Sequence, residues 1–165
     1  MAATKPIDEG MIEDSIVRAL RNVCEKMIRS EVKLLRTLVD PIDETGYHMM
    51  SNVGFAGSVD GNVTLYLSDD FAIFATGKVL GMSAGEIEMH GPDVLKDAIG
   101  EITNMTAGGF KNQLCDIGFP CKLTLPTIVR GKNLAVAAIK SAHRHVFELQ
   151  CDGHAFIADI QLKAD

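Results

Sequence analysis

No apolar run in the sequence is long enough to cross a membrane. The longest, Leu134 to Ile139, falls far short of the roughly 20 residues a spanning helix needs. Lys and Arg form no cluster that could track a phosphate backbone. Sixteen basic residues stand against 22 acidic ones, a net charge of −6. This balance argues against nucleic acid as the main partner and against an anionic membrane surface. No apolar stretch follows the opening Met-Ala-Ala-Thr-Lys-Pro, so no signal peptide is expected and the chain is expected in the cytoplasm. The four cysteines, Cys24, Cys115, Cys121 and Cys151, include no Cys-x-x-Cys, and such scattered thiols are expected as small buried hydrophobes. His143 and His145 share a strand face, and Cys151 faces His154 across an Asp152-Gly153 turn. His145 and Cys151, however, are six strand residues apart, about 20 Å. No four-ligand cluster closes, and no metal is expected in this chain.

What is present is the composition of an ordinary globular chain: 165 residues, 47% hydrophobic and 23% charged. A chain of this length buries roughly 69% of its extended surface, enough for one domain over residues 1–165, with 1–7 as a loose end. From Asp8 onward, Ile12, Ile16, Leu20, Val23 or Cys24, and Met27 or Ile28 recur at helical spacing. An extended segment, Val32 to Val39, follows and stops at Asp40-Pro41. Met49 to Val59 and Asn62 to Ser68 flank Asp60-Gly61, a favoured hairpin turn, which would set Ala56 against Leu65 and Gly54 against Leu67. A short helix is expected over Asp69 to Leu80, ending near Gly81, and a longer one from Pro92 to about Leu114. Lys122 to Val129 and Leu134 to Ser141 read as two further strands.

The last hairpin has the clearest faces. Phe147, Leu149 and Cys151 align with His154, Phe156, Ala158, Ile160 and Leu162, while Arg144, Glu148, Gln150, Asp159 and Gln161 take the opposite, wet side. The order is helix, three strands, two helices, four strands. It fits a two-layer α+β domain with three helices on one face of a largely antiparallel sheet.

The long helix carries the functional argument. At about 100° per residue, Leu95, Ala98, Ile99, Ile102, Met105 and Phe110 form one side. Asp97, Glu101, Asn104, Gly108 and Lys111 fall within roughly 80° on the other. Gly100 and Gly108 lie on or beside this stripe, although an interior glycine costs a helix about 1 kcal/mol relative to alanine. Asp97 and Glu101 repel mildly at i and i+4. A purely solvated face has no need of either feature. Glu101-x-x-Asn104 alone is nevertheless a weak signal, because nine Glu and six Asn in 165 positions produce such a pair by chance in about one chain of three. The two glycines at 108 and 109 also suit a helix C-cap.

Asp97-xxx-Glu101-xx-Asn104-xxx-Gly108 on a central helix resembles the signature of the CheC/CheX/FliY family of response-regulator phosphatases. The stretch from Gly54-Phe55-Ala56-Gly57 through Asp60-Gly61 to Ser68 resembles that family's first hairpin. The Asp69-Asp70-Phe71 helix and the Leu123 to Val129 strand match it in order and spacing. A single Glu-x-x-Asn is more similar to CheX than to CheC, whose members typically carry two. No Asn lies three residues after Glu13 or Glu25, so the first helix holds no second copy.

The resemblance implies a CheC/CheX-like fold, with the Pro92 helix as its signature helix. It also implies a hydrolase acting on the phospho-aspartate of a CheY-like receiver, with Asn104 positioning the attacking water and Glu101 docking to the receiver's lysine. Asp97 and Gly108 would support them, the glycine by giving the docked partner clearance. No cofactor is implied for this chain, since the receiver supplies its own Mg²⁺. A homodimer through sheet edges is implied, with Leu134 to Ser141 and the first hairpin as candidate edges. The competing reading is a non-catalytic receiver-binding adaptor or oligomerisation domain of the same fold. A small-molecule or metal protein comes third.

Overall fold

The first helix begins where the Asp8 carboxylate accepts the Met11 amide at 2.8 Å, satisfying one of the donors a helix start leaves open. In the computed structural model, which describes residues 7–38 and 46–164, α1 spans Glu9–Val23. It passes into a π-helical turn, Cys24–Ile28, closed by Arg29 in left-handed conformation. Of the expected loose end only Ile7 lies within the described residues, and it packs against the core. The expected stop at Asp40-Pro41 lies outside them. The strands are β1 (Val32–Leu38), β2 (Met49–Gly57), β3 (Val59–Leu67), β4 (Cys121–Leu123), β5 (Thr127–Arg130), β6 (His143–Cys151) and β7 (His154–Ala164). They form one antiparallel sheet in the order β1-β6-β7-β3-β2, with both β4 and β5 on the far side of β2.

α2 (Asp69–Leu80) starts on the Ser68 hydroxyl, which accepts the Phe71 amide at 3.1 Å, and ends at left-handed Gly81. α4 (Pro92–Asp116) starts at the expected proline and runs through Gly108 and Gly109 without a break. Between them lies a helix absent from the sequence reading, α3 (Ala84–His90), opened by a Ser83/Glu86 capping box. Among its residues only Ile87 is buried, so it has no periodic stripe to betray it. All four helices contribute to the larger core on one face of the sheet, where Tyr66's neighbours Leu65 and Leu67 meet Phe71, Ile99, Phe110, Phe147 and Phe156.

The β6/β7 hairpin has the expected register, with Cys151 opposite His154 and Phe147 opposite Ala158. The β2/β3 hairpin does not. Met49 pairs with Leu67 and Phe55 with Gly61, so the chain reverses at Gly57 and Ser58. Asp60 caps that turn from inside β3, its carboxylate accepting the Gly57 amide at 3.1 Å. Gly61 is a strand residue packed so closely that a Cβ would overlap the Gln161 carbonyl. Ala56 and Gly54 therefore do not face Leu65 and Leu67.

The opposite sheet face is not simply wet. Residues 134–141 form no strand; they cross this face as irregular chain. Their backbone groups are satisfied by side chains. Tyr66 Oη accepts the Val136 amide, while the Gln161 carboxamide accepts from Ile139 N at 2.7 Å and donates to the Ala137 carbonyl. Tyr66, Val146 and Ile157 form a small second core beneath them, and Asp159 and Gln161 are buried. The first hairpin is likewise no edge, because β3 pairs with β7 and β2 with β4 and β5. Among the described strands, β1 and the β4/β5 pair are the edges.

Asp159 is fully buried and holds Arg144 through Nε at 3.0 Å and Nη2 at 2.6 Å. Removing one member of a buried pair is costly, yet the Arg144 side chain is 39% exposed and can turn to water. Asp159→Ala is therefore expected to lower stability by about 1–3 kcal/mol, read as a lower urea midpoint with an unchanged slope.

Candidate functional site on α4

α4 is gripped on three sides, which leaves only a narrow stripe to solvent. A Cβ on Gly109 would stand 3.2 Å from that of Ala19, and Gln113 Nε2 donates to the Ser15 carbonyl at 3.1 Å, so α1 lies close along one flank. Leu95, Ala98, Ile99, Ile102 and Phe110 face the core, and Phe110 packs on Phe55 with ring centroids 6.1 Å apart. The remaining flank is covered by the β4–β5 limb. A Cβ on Gly100 would meet Ile128 Cδ1 at 3.0 Å and Pro126 Cγ at 3.8 Å; one on Gly108 would meet Leu123 Cδ1 at 4.0 Å.

Gly100 is thus buried and does not belong to the exposed stripe. It does admit a close neighbour, but that neighbour is the chain's own β5. Thr103 and Thr106 are also fully buried, although both are polar. Each hydroxyl bonds back to the carbonyl one turn earlier, Ile99 at 2.7 Å and Ile102 at 2.8 Å. A helical wheel sorted by polarity misses such residues.

The solvent-facing stripe advances in steps of four, three and four residues. Asp97 and Glu101 are exposed, while Asn104 and Gly108 are half-buried. Glu101 and Asn104 stand one turn apart, so both project from one face. Neither side chain takes a hydrogen bond or ion-pair partner among the described residues. Both functional groups are therefore available to a visitor, on a helix whose backbone is fixed by packing. The arrangement is a ridge and not a pocket. Clefts such as the one of about 450 Å³ lined by Glu13, Asp14, Val17, Arg18, Arg21 and Leu34 take no residue from it. Lys111 is half-buried and lies near Cys121, where its charge favours the thiolate that burial disfavours.

The cysteines are less scattered than the sequence suggests. Cys24 contacts Cys151, and Cys115 contacts Cys121; all four are free thiols. Hydrogen bonding to Cys151, and then burial, hold the Cys24 thiol protonated, far above the ordinary thiol range. His154 stacks against Phe71 and Phe74 at 5.6 and 5.1 Å, and burial holds His145 below the ordinary imidazole value. Among the described residues no three His, Cys, Asp or Glu side chains converge as metal ligands, and no helix is long and apolar enough to cross a membrane.

Comparison with known proteins places this geometry in context. The family model for the chemotaxis phosphatase CheX matches residues 49–150, which hold the whole signature helix. The CheY-P phosphatase CheX of Thermotoga maritima is 31% identical over 94 residues, 56% of this chain and 58% of that protein. The match therefore spans little more than half of that relative. A CheC-like superfamily protein from Shewanella sp. PV-4 superposes with a TM-score of 0.82 at 21% identity, over 96% of this chain and all of that one. The CheX–CheY–BeF3–Mg²⁺ complex from Borrelia burgdorferi superposes with a TM-score of 0.78 at 21% identity, over 96% of this chain and 99% of the matched one. These two likenesses carry the fold, a mixed α+β architecture on a largely antiparallel sheet. The family match covers well over half of the sequence, and the chain belongs to the chemotaxis phosphatase CheX family.

Proposed function

We propose that this chain is an aspartyl-phosphate phosphatase that acts on a phosphorylated CheY-like receiver domain. The observation that carries the reading is the pair of side chains, Glu101 and Asn104, one turn apart on the face of α4 that the described residues leave bare, and without partners among those residues. Family membership supports it, as does the Borrelia relative's presence in a complex with CheY and Mg²⁺.

An acyl phosphate needs little covalent help, because phosphoryl transfer depends mainly on positioning and charge stabilisation. The receiver supplies its own Mg²⁺ and lysine; this chain supplies geometry. Asn104 enters beside the phosphoryl group. Its carboxamide oxygen accepts from a water, and its NH₂ donates to a phosphoryl oxygen, holding the water in line with the scissile bond. Water oxygen bonds to phosphorus as the bond from phosphorus to the aspartyl oxygen breaks, which yields inorganic phosphate and a free carboxylate. Glu101 pairs with the receiver's lysine and sets the docking register. Asp97, one turn earlier, adds negative field toward that lysine, and Gly108 leaves clearance for the partner's surface. The homodimer implied by the family would use one of the two sheet edges, β1 or β4/β5.

The test is phosphate release from receiver domains charged with a small-molecule phosphodonor, with and without the purified chain. Acceleration supports the phosphatase reading; tight association without acceleration returns the non-catalytic adaptor. Glu101→Gln keeps the shape and removes the charge. It is expected to raise KM about tenfold and to flatten the salt dependence of KM, with kcat changed less than about threefold.

A further inference from the structure

We propose that Leu125 is the apolar anchor by which this chain holds its receiver, a deepening that rests on the phosphatase reading above. A single ion pair from Glu101, worth about tenfold in binding at most, does not by itself hold a protein partner, and a carboxamide aimed at the reacting group serves turnover more than binding. A protein partner held at this ridge needs a desolvated apolar contact beside the polar pair.

The β4–β5 limb provides one, and its construction is specific. Phe55 pairs with Leu123 and Asn52 with Thr127, so residues 124–126 oppose only residues 53–54. This is a one-residue bulge, a device that re-aims a side chain out of a strand. The bulge is fastened on both sides. Thr124 Oγ1 accepts the Gly54 amide at 2.9 Å, and the Thr124 amide donates to the Gly54 carbonyl at 2.8 Å. Pro126 and Ile128 then seat on α4 where Gly100 lacks a side chain. Between these two fixings Leu125 stands 87% exposed.

Its position follows from its neighbours. Leu123 lies against Gly108 and Pro126 against Gly100, so the bulge runs beside the two helical turns that carry Glu101 and Asn104. An exposed leucine thus stands on the limb that borders the carboxylate and the carboxamide, and all three are held by well-packed backbone. A receiver that presents its phosphorylation pocket to Asn104 would bring the rim of that pocket over Leu125. Gly100 acquires a role as well: it lets the limb approach the helix closely enough for the leucine to border the site.

The experiment measures steady-state dephosphorylation of a receiver domain that the wild-type chain turns over. Leu125→Ala is expected to raise KM about tenfold and Leu125→Asp at least about fiftyfold, with kcat within about twofold and Tm unchanged. Leu35→Ala, which truncates a 46% exposed leucine on β1 at the opposite sheet edge, is expected to leave both constants alone. A Leu125→Asp chain with wild-type KM overturns the anchor and leaves the phosphatase reading intact. A fall in kcat with KM unchanged also overturns it. A wild-type chain inactive on every phosphorylated receiver overturns the phosphatase reading, and the anchor with it.

Discussion

An Asn104→Ala chain is expected to release phosphate from a phosphorylated receiver at least about a hundredfold more slowly than the wild type, a loss typical of removing one preorganised donor from a reaction centre. Nothing else in the protein should change. Asn104 is half-buried with no hydrogen-bond partner among the described residues, and alanine is the better helix former by a few tenths of a kcal/mol. Tm should therefore hold or rise slightly. Binding to the phosphorylated receiver should stay within about threefold, because Glu101 and Leu125 both remain in place. Asn104→Asp is the sharper variant, since it keeps the size and the acceptor while replacing the NH₂ donor by negative charge. It is expected to be at least as slow as the alanine variant, as the added charge repels the phosphoryl oxygens. Measured turnover within about threefold of wild type for either variant refutes the assigned role of Asn104, even if the chain still docks.

The part of this site that was legible in the sequence is the part governed by local periodicity. Glu101 and Asn104 are polar, three residues apart and opposite a run of apolar residues, so a helical wheel alone puts them on the solvent side. Pro92 and Gly81 mark helix ends because their backbone constraints act on nearest neighbours. Asp152-Gly153 fixed the last hairpin for the same reason, with alternation on both flanks confirming the register. Contacts distant in sequence were not legible. Thr103 and Thr106 look like surface residues until their hydroxyls are seen returning to the helix backbone. Gly100 looks like part of a docking stripe, yet the group it admits is β5, some 28 residues later. Residues 134–141 have the apolar content of a strand, but Tyr66 and Gln161 offer their backbone better-placed partners than a neighbouring strand does. Cys24 and Cys151, 127 positions apart, gave no sign that their thiols are neighbours.

The two readings of Asp60-Gly61 make different predictions, and the larger effect follows from the one observed. A glycine at a hairpin turn gives up about 1 kcal/mol or somewhat more on replacement by alanine, through backbone strain alone. Gly61 instead sits in the middle of the sheet, between Phe55 on β2 and Leu162 on β7. A Cβ there would overlap the Gln161 carbonyl oxygen and come within 2.8 Å of the Phe55 ring. The ring is the end of a side chain and can swing; the carbonyl is backbone in the central strand pair and cannot. Gly61→Ala is therefore expected to cost more than about 4 kcal/mol, seen as a Tm lowered by ten degrees or more, or as failure to accumulate folded protein. A second substitution separates the two obstacles. Phe55→Leu should not restore Gly61→Ala if the carbonyl dominates, whereas recovery in the double variant would make the ring the cause. Function is tied to the same contact, because Phe55 packs on Phe110 of α4. Any folded fraction that accommodates the new methyl by pushing Phe55 aside also shifts the helix that presents Glu101 and Asn104. Such a fraction should lose turnover out of proportion to its loss of folded signal.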